Sequence, residues 1–136
     1  MRTLILCLAL VGVTISALSL QVHYSTATQP CSINTHWDCG VVNHSSYAVI
    51  LRIPVAVIGI AGYLVLAALA FMDWRFPLFL TTLGGLGFAL RLSFIEEYVL
   101  QVWCLYCVIS QCIIALIALL SLSWLLAEYI ALRRAH

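Results

Sequence analysis

The sequence is short of charge. Of its 136 residues only 8% are Asp, Glu, Lys or Arg, where an ordinary soluble domain carries about 25%. That leaves too little polar surface to coat a water-soluble globule, so this class is excluded and the bilayer becomes the natural solvent. Excess charge of either sign is also missing. The net +1 at pH 7 gives no electrostatic footprint for nucleic acid. There is no internal repeat, no low-complexity tract and no linker, which excludes solenoids and multidomain chains. A cleavable signal peptide is not indicated either. Arg2 precedes an apolar stretch that runs to Val22, longer than the roughly 7 to 15 residues of a signal core. The triplet Ala17-Leu18-Ser19 is also a poor small-x-small cleavage site.

What the chain has in plenty is hydrophobicity, 65% of its residues. Apolar runs cover about residues 3–22, 53–72, 76–95 and 105–127. Each is near the ~20 residues that cross a hydrocarbon core at ~1.5 Å per residue. They predict an all-α fold, an integral membrane four-helix bundle forming one domain over 1–136, with a single sizeable loop at 24–52. Orientation follows from the arginines. Arg2, Arg75, Arg133 and Arg134 lie at the first end, the second turn-around and the last end, which share one side of a four-span chain. The positive-inside rule places that side, and both termini, in the cytoplasm. The long loop and the 96–103 connection then face the periplasm or lumen, an oxidising compartment, and the active site is expected there.

The six cysteines are Cys7, Cys31, Cys39, Cys104, Cys107 and Cys112. On this topology Cys31 and Cys39 lie in the outward loop, and Cys104-Leu105-Tyr106-Cys107 opens the last helix on the same face. Two pairs at one membrane face suit a disulfide relay, in which a thiolate attacks a disulfide and a second cysteine resolves the mixed disulfide. The first turn of a helix favours negative charge, so a thiolate forms there more readily and leaves more easily. A lipid-soluble quinone can present its ring at the same membrane edge. The competing readings are a loop staple for Cys31 and Cys39 and apolar packing for Cys104 and Cys107. Cys7 and Cys112 read as packing. Of two further alternatives, one is a non-enzymatic small membrane protein with a stapled loop. The other is a zinc protein using Cys31, His36, Cys39 and His44. That spacing matches no common zinc module, so no metal is expected.

The remaining polar residues carry weaker signals. Residues 43–51 look like a surface helix capped by Asn43 or Ser45, serving as a lid or as a simple re-entry segment. Arg91, deep in the third run, is expected to snorkel outward toward Glu96 or Glu97. Either glutamate is a candidate for carrying protons. Gly59, Gly62, Gly84, Gly85 and Gly87 are read as sites of close helix packing.

The order of motifs is a loop Cys31-x7-Cys39, Ser45 six residues later, and the late CxxC of Cys104 and Cys107. With Ser45-Ser46-Tyr47-Ala48, Ile53-Pro54-Val55-Ala56 and Gly59 to Tyr63, this order resembles the bacterial branch of the vitamin K epoxide reductase family over nearly the whole chain. The other well-known family of quinone-linked disulfide generators has its CxxC in the first outward loop. The resemblance implies a quinone pocket within the bundle and a relay. Cys31 would exchange with a partner, Cys39 would attack at Cys104, Cys107 would react with the quinone, and Ser45 would lie near the site. It implies net disulfide formation in a separate periplasmic thioredoxin-like protein, at the multi-pass, lipid-embedded level of the cell inner (plasma) membrane. The sequence departs from vertebrate members at two places. Their quinone-binding Asn falls in the neighbourhood of Val55, and their Tyr after the CxxC is Gln111, a candidate donor to a quinone carbonyl. The departures favour ubiquinone or menaquinone as cofactor, with a vitamin K-type quinone as the further candidate.

Overall fold

The structure, a computed structural model, describes residues 1–25 and 33–136. Helix α1 (Arg2–Tyr24) is followed, after the loop, by a short α2 (Cys39–Asn43), a 3-10 turn (Ser46–Ala48) and the strands β1 (Val49–Ile50) and β2 (Ile53–Pro54). Helices α3 (Val55–Phe71) and α4 (Arg75–Ile95) come next, then a π-helical turn (Glu96–Leu100) and the long α5 (Leu105–Arg134). Among the described residues three helices are long and apolar enough to cross a membrane: α1, α4 with its π turn, and α5. Helix α3 is apolar but has 17 residues, the lower end of the spanning range of about 17–25.

The helices are apolar on all sides, so their packing does not come from one amphipathic stripe. Leu64, Phe76, Leu80 and Leu119 remain exposed, as expected of side chains that face lipid. The buried core runs through Ile5, Ala9, Tyr63, Leu66, Leu78 and Ile117. Helix α1 packs chiefly on α3 and α5, and α4 on α5, whereas α3 and α4 touch far less. The α1–α3 contact is close because Gly12 has no side chain: a Cβ there would overlap the Tyr63 ring. At the opposite end from the cysteines, Arg75 ties α4 to α5. Its guanidinium reaches Asp73 at 3.3 Å and Glu128 at 3.7 Å, and lies 4.5 Å from the Trp124 ring centre.

The segment 43–51 is not a surface helix. Asp38 accepts hydrogen bonds from the Gly40 and Val41 amides at 2.9 and 3.3 Å, which starts the helix earlier, at Cys39. Beyond Asn43 the chain turns into a two-residue hairpin, Val49 pairing with Pro54 and Ile50 with Ile53. Leu51 and Arg52 both take positive φ, 52° and 68°. That is the backbone of the tight hairpin turn usually supplied by Asn-Gly, and no local residue signals it here.

Candidate functional site

Two strands of irregular chain bring the loop to the start of α5. Trp37 and Trp103 form a parallel bridge. The Trp103 amide donates to the His36 carbonyl at 2.6 Å, and the Asp38 amide to the Trp103 carbonyl at 3.0 Å. The indole N–H of Trp103 donates to Glu97 at 2.8 Å. This zipper sets Cys39, at the start of α2, beside Cys104, the residue preceding α5. Both are fully buried and pack together with Val22 and Val42. Cys39 is disulfide-bonded, while Cys104 and Cys107 are free thiols.

Asn43 joins the two cysteine sites. It lies one turn beyond Cys39, and its amide donates to the Cys39 carbonyl at 2.9 Å and toward the Cys104 sulfur at 3.7 Å. Its side-chain oxygen accepts from Ser19 at 2.9 Å, and its backbone carbonyl lies 2.5 Å from Nδ1 of His23. On the other side, the π turn and the left-handed Gln101, with φ 56°, reverse the chain and direct Glu96 inward. Such π turns are frequent at functional sites. Glu96 is 2% exposed. Its carboxylate accepts from the Cys104 amide at 3.2 Å, and the Cys107 thiol lies against it. The Cys107 thiol also meets Cys104. Its hydrogen bond holds the Cys104 thiol below the ordinary cysteine range, against burial and the negative charge of Glu96, which push the other way.

Cys107 stands in the wall of two cavities. The larger, about 350 Å³, lies between α3 and α4 and is closed behind by α1 and α5. Along α4 it extends from Leu92 to Thr81, roughly 16 Å at 1.5 Å per residue. Its lining is almost wholly apolar, with Val55 near the cysteine end. Its few polar groups include a Tyr63–Ser110 pair, in which the phenol donates to the Ser110 carbonyl at 2.8 Å and meets the Ser110 hydroxyl at 2.7 Å. A mostly apolar cavity of this size with a few placed polar groups suits a small cofactor, and the ring of a quinone fits it. The smaller cavity, about 40 Å³, lies between Cys107 and the 3-10 turn, and its lining includes Glu96, Asn43, Ser45 and Tyr47.

The residues singled out in the sequence divide as follows. Cys39, Cys104 and Cys107 come together, and Val55 lines both cavities. Cys31 lies outside the described residues. Ser45 donates to the Val42 carbonyl at 2.7 Å and faces only the smaller cavity. Gln111 does not line either one; its side-chain oxygen accepts from Ser93, which links α5 to α4. Arg91 makes no ion pair with Glu96 or Glu97 among the described residues, because those carboxylates are turned to the cysteines and to Trp103. Among the described residues no group of three or more His, Cys, Asp or Glu is arranged to hold a metal ion. The glycines need restating too. Gly59 does meet α1, where a Cβ would be 2.9 Å from Ser16, and a Cβ on Gly85 would be 3.4 Å from Ile114. Gly62, Gly84 and Gly87 have open space around them, and Gly62 and Gly84 face the larger cavity. Asn43, Tyr63 and Ser110 are missed by sequence reasoning. The i, i+4 and i, i+3 spacings of Asn43 from Cys39 and Ser110 from Cys107 are the signals available for two of them.

No curated protein matches the chain. The profile described as the vitamin K epoxide reductase family matches residues 3–122. The match takes in most of the chain, which is therefore a member of the vitamin K epoxide reductase family, a family of membrane oxidoreductases.

Proposed function

We propose that this chain is a four-span inner-membrane oxidoreductase, with both termini cytoplasmic, that makes disulfides in a separate thioredoxin-like partner and passes the electrons to a quinone. The observation that carries this reading is the position of Cys107. Its thiol is hydrogen-bonded to the Cys104 thiol, and the same residue lines an apolar cavity of about 350 Å³. Partner thiols reduce the Cys31–Cys39 disulfide. Cys39 then attacks Cys104 in the inner disulfide, and Cys31 resolves the mixed disulfide. Cys104 is released, and the inner pair holds the two electrons.

The redox pattern supports this order. Cys39 is disulfide-bonded and Cys104 and Cys107 are free thiols, the arrangement this order requires before electrons pass to the acceptor. The lowered pKa of Cys104 supports it as well, since a thiol of low pKa leaves a mixed disulfide faster. A bound quinone supplies a two-electron, two-proton acceptor. Val55, Gly62 and Gly84 give its ring an apolar surround, and Ser110, held by Tyr63, offers a hydroxyl one turn from Cys107. With Val55 in the wall, ubiquinone and menaquinone are the preferred acceptors.

The test is quinone reduction by the purified chain in detergent, with a dithiol donor and the quinone absorbance followed. The native chain is expected to turn over and Cys107→Ala to be inactive. Equal rates for the two would remove Cys107 from the cofactor, and inactivity of both with ubiquinone and menaquinone would overturn the function.

A further inference from the structure

Glu96 is the one charged residue buried among the described residues, and the relay leaves it without a task. A carboxylate withdrawn from water costs several kcal/mol unless its partners compensate (order of magnitude). Capping the Cys104 amide does not require a charge, since a Ser or Asn oxygen serves equally. The second contact is the informative one, because it falls on the thiol of Cys107. Glu96 and Cys107 also share the wall of the smaller cavity, whose about 40 Å³ exceeds the ~10–15 Å³ that one water needs.

We propose that Glu96 is the catalytic base that takes the Cys107 proton as the Cys104–Cys107 disulfide forms, with the smaller cavity as the proton path and the larger one as the seat of the electron acceptor. This rests on the quinone-linked function proposed above. In the step, the Cys107 S–H bond breaks and its proton goes to the Glu96 carboxylate. Cys104, already the more acidic thiol, has given its proton to solvent. One S–S bond forms, and two electrons leave to the quinone. Glu96 releases the thiol proton through the smaller cavity, and the quinone takes up two protons from solvent. Glu96 returns to a carboxylate and the balance closes. Among the described residues, Cys104 and Cys107 are the titratable groups in contact with Glu96, and Tyr47 shares the smaller cavity with it.

The test compares Glu96→Gln and Glu96→Asp in the full-length chain. Both keep an acceptor for the Cys104 amide, and only Asp can take a proton. Two rates are read: quinone turnover, and a quinone-free reaction in which diamide oxidises the Cys104–Cys107 dithiol. General-base loss predicts that Gln slows both by about 100-fold and that Asp stays within about 10-fold of native. Gln within about threefold of native in the diamide reaction, or Gln and Asp slowed equally, would overturn the assignment. A native chain inactive with quinone whose diamide oxidation still depends on Glu96 would sink the quinone function while leaving the base in place. Normal quinone turnover with a Glu96-independent diamide rate would do the reverse.

Discussion

The two cavities share a wall of Ser19, Val55, Ala56, Leu92 and Cys107 and differ in size and in the polar groups they hold. One is about 350 Å³, apolar, and hollowed partly by glycines; the other is about 40 Å³ and holds a carboxylate, an amide and a hydroxyl. The contrast follows from what each must exclude. An apolar cofactor body gains from a dry surround, where a stray charge would cost several kcal/mol (order of magnitude). Proton transfer needs polar groups within hydrogen-bond reach. On the proposed mechanism, the Cys107 sulfur between the two would let electrons leave on one side and protons on the other.

The largest effect should come from closing the apolar side alone. A Cβ on Gly62 or Gly84 meets open space, and both residues line the larger cavity, so the double variant Gly62→Leu, Gly84→Leu extends two side chains into it. Quinone kcat/KM should fall by tenfold or more, about 1.4 kcal/mol or greater, with dithiol oxidation by diamide unchanged. A parallel loss in both reactions would show that the two sides are not separable. Next comes the polar side. Asn43→Ala takes the acceptor from the buried Ser19 hydroxyl and removes one donor to the Cys39 carbonyl. Thermal unfolding should register about 1–3 kcal/mol of destabilisation. Exchange between Cys39 and Cys104 should slow, while quinone affinity is untouched.

The smallest effect concerns the wall itself. The Cys107 thiol holds the Cys104 thiol below its ordinary range, so Cys104 should remain thiolate as pH falls through the region where a free cysteine, near pKa ~8.5, protonates. Cys107→Ala removes that hydrogen bond and should move the titration of Cys104 upward. Thiolate ultraviolet absorbance, with the other cysteines replaced, reads the midpoint. An unchanged midpoint would mean that the acidity of Cys104 comes from the helix start rather than from its neighbour.

Much of this was legible in the sequence, for identifiable reasons. Apolar runs announce helices in lipid without help from tertiary context, and the CxxC marks the start of α5 because the apolar run begins there. Helix α5 continues to Arg134, past its apolar run, since Glu128 is engaged by Arg75 at 3.7 Å and such long-range pairs leave no local trace. The hairpin was hidden because Leu51 and Arg52 adopt a turn that neither residue favours. Glu96 could not be separated from Glu97 by spacing. Only the π turn and the left-handed Gln101 decide which carboxylate faces the cysteines. Glycines read alike in sequence whether they admit a neighbour, as Gly12 does, or leave a void, as Gly62 and Gly84 do.

The most direct measurement is of the junction between the two cysteine pairs. In the double variant Cys31→Ala, Cys107→Ala, neither resolving sulfur remains. Mild oxidation followed by non-reducing peptide mapping should find Cys39 joined to Cys104 in nearly every molecule. Two free thiols at these positions, or linkage only between separate chains, would contradict a relay that runs from the loop through Cys104 to the cavity.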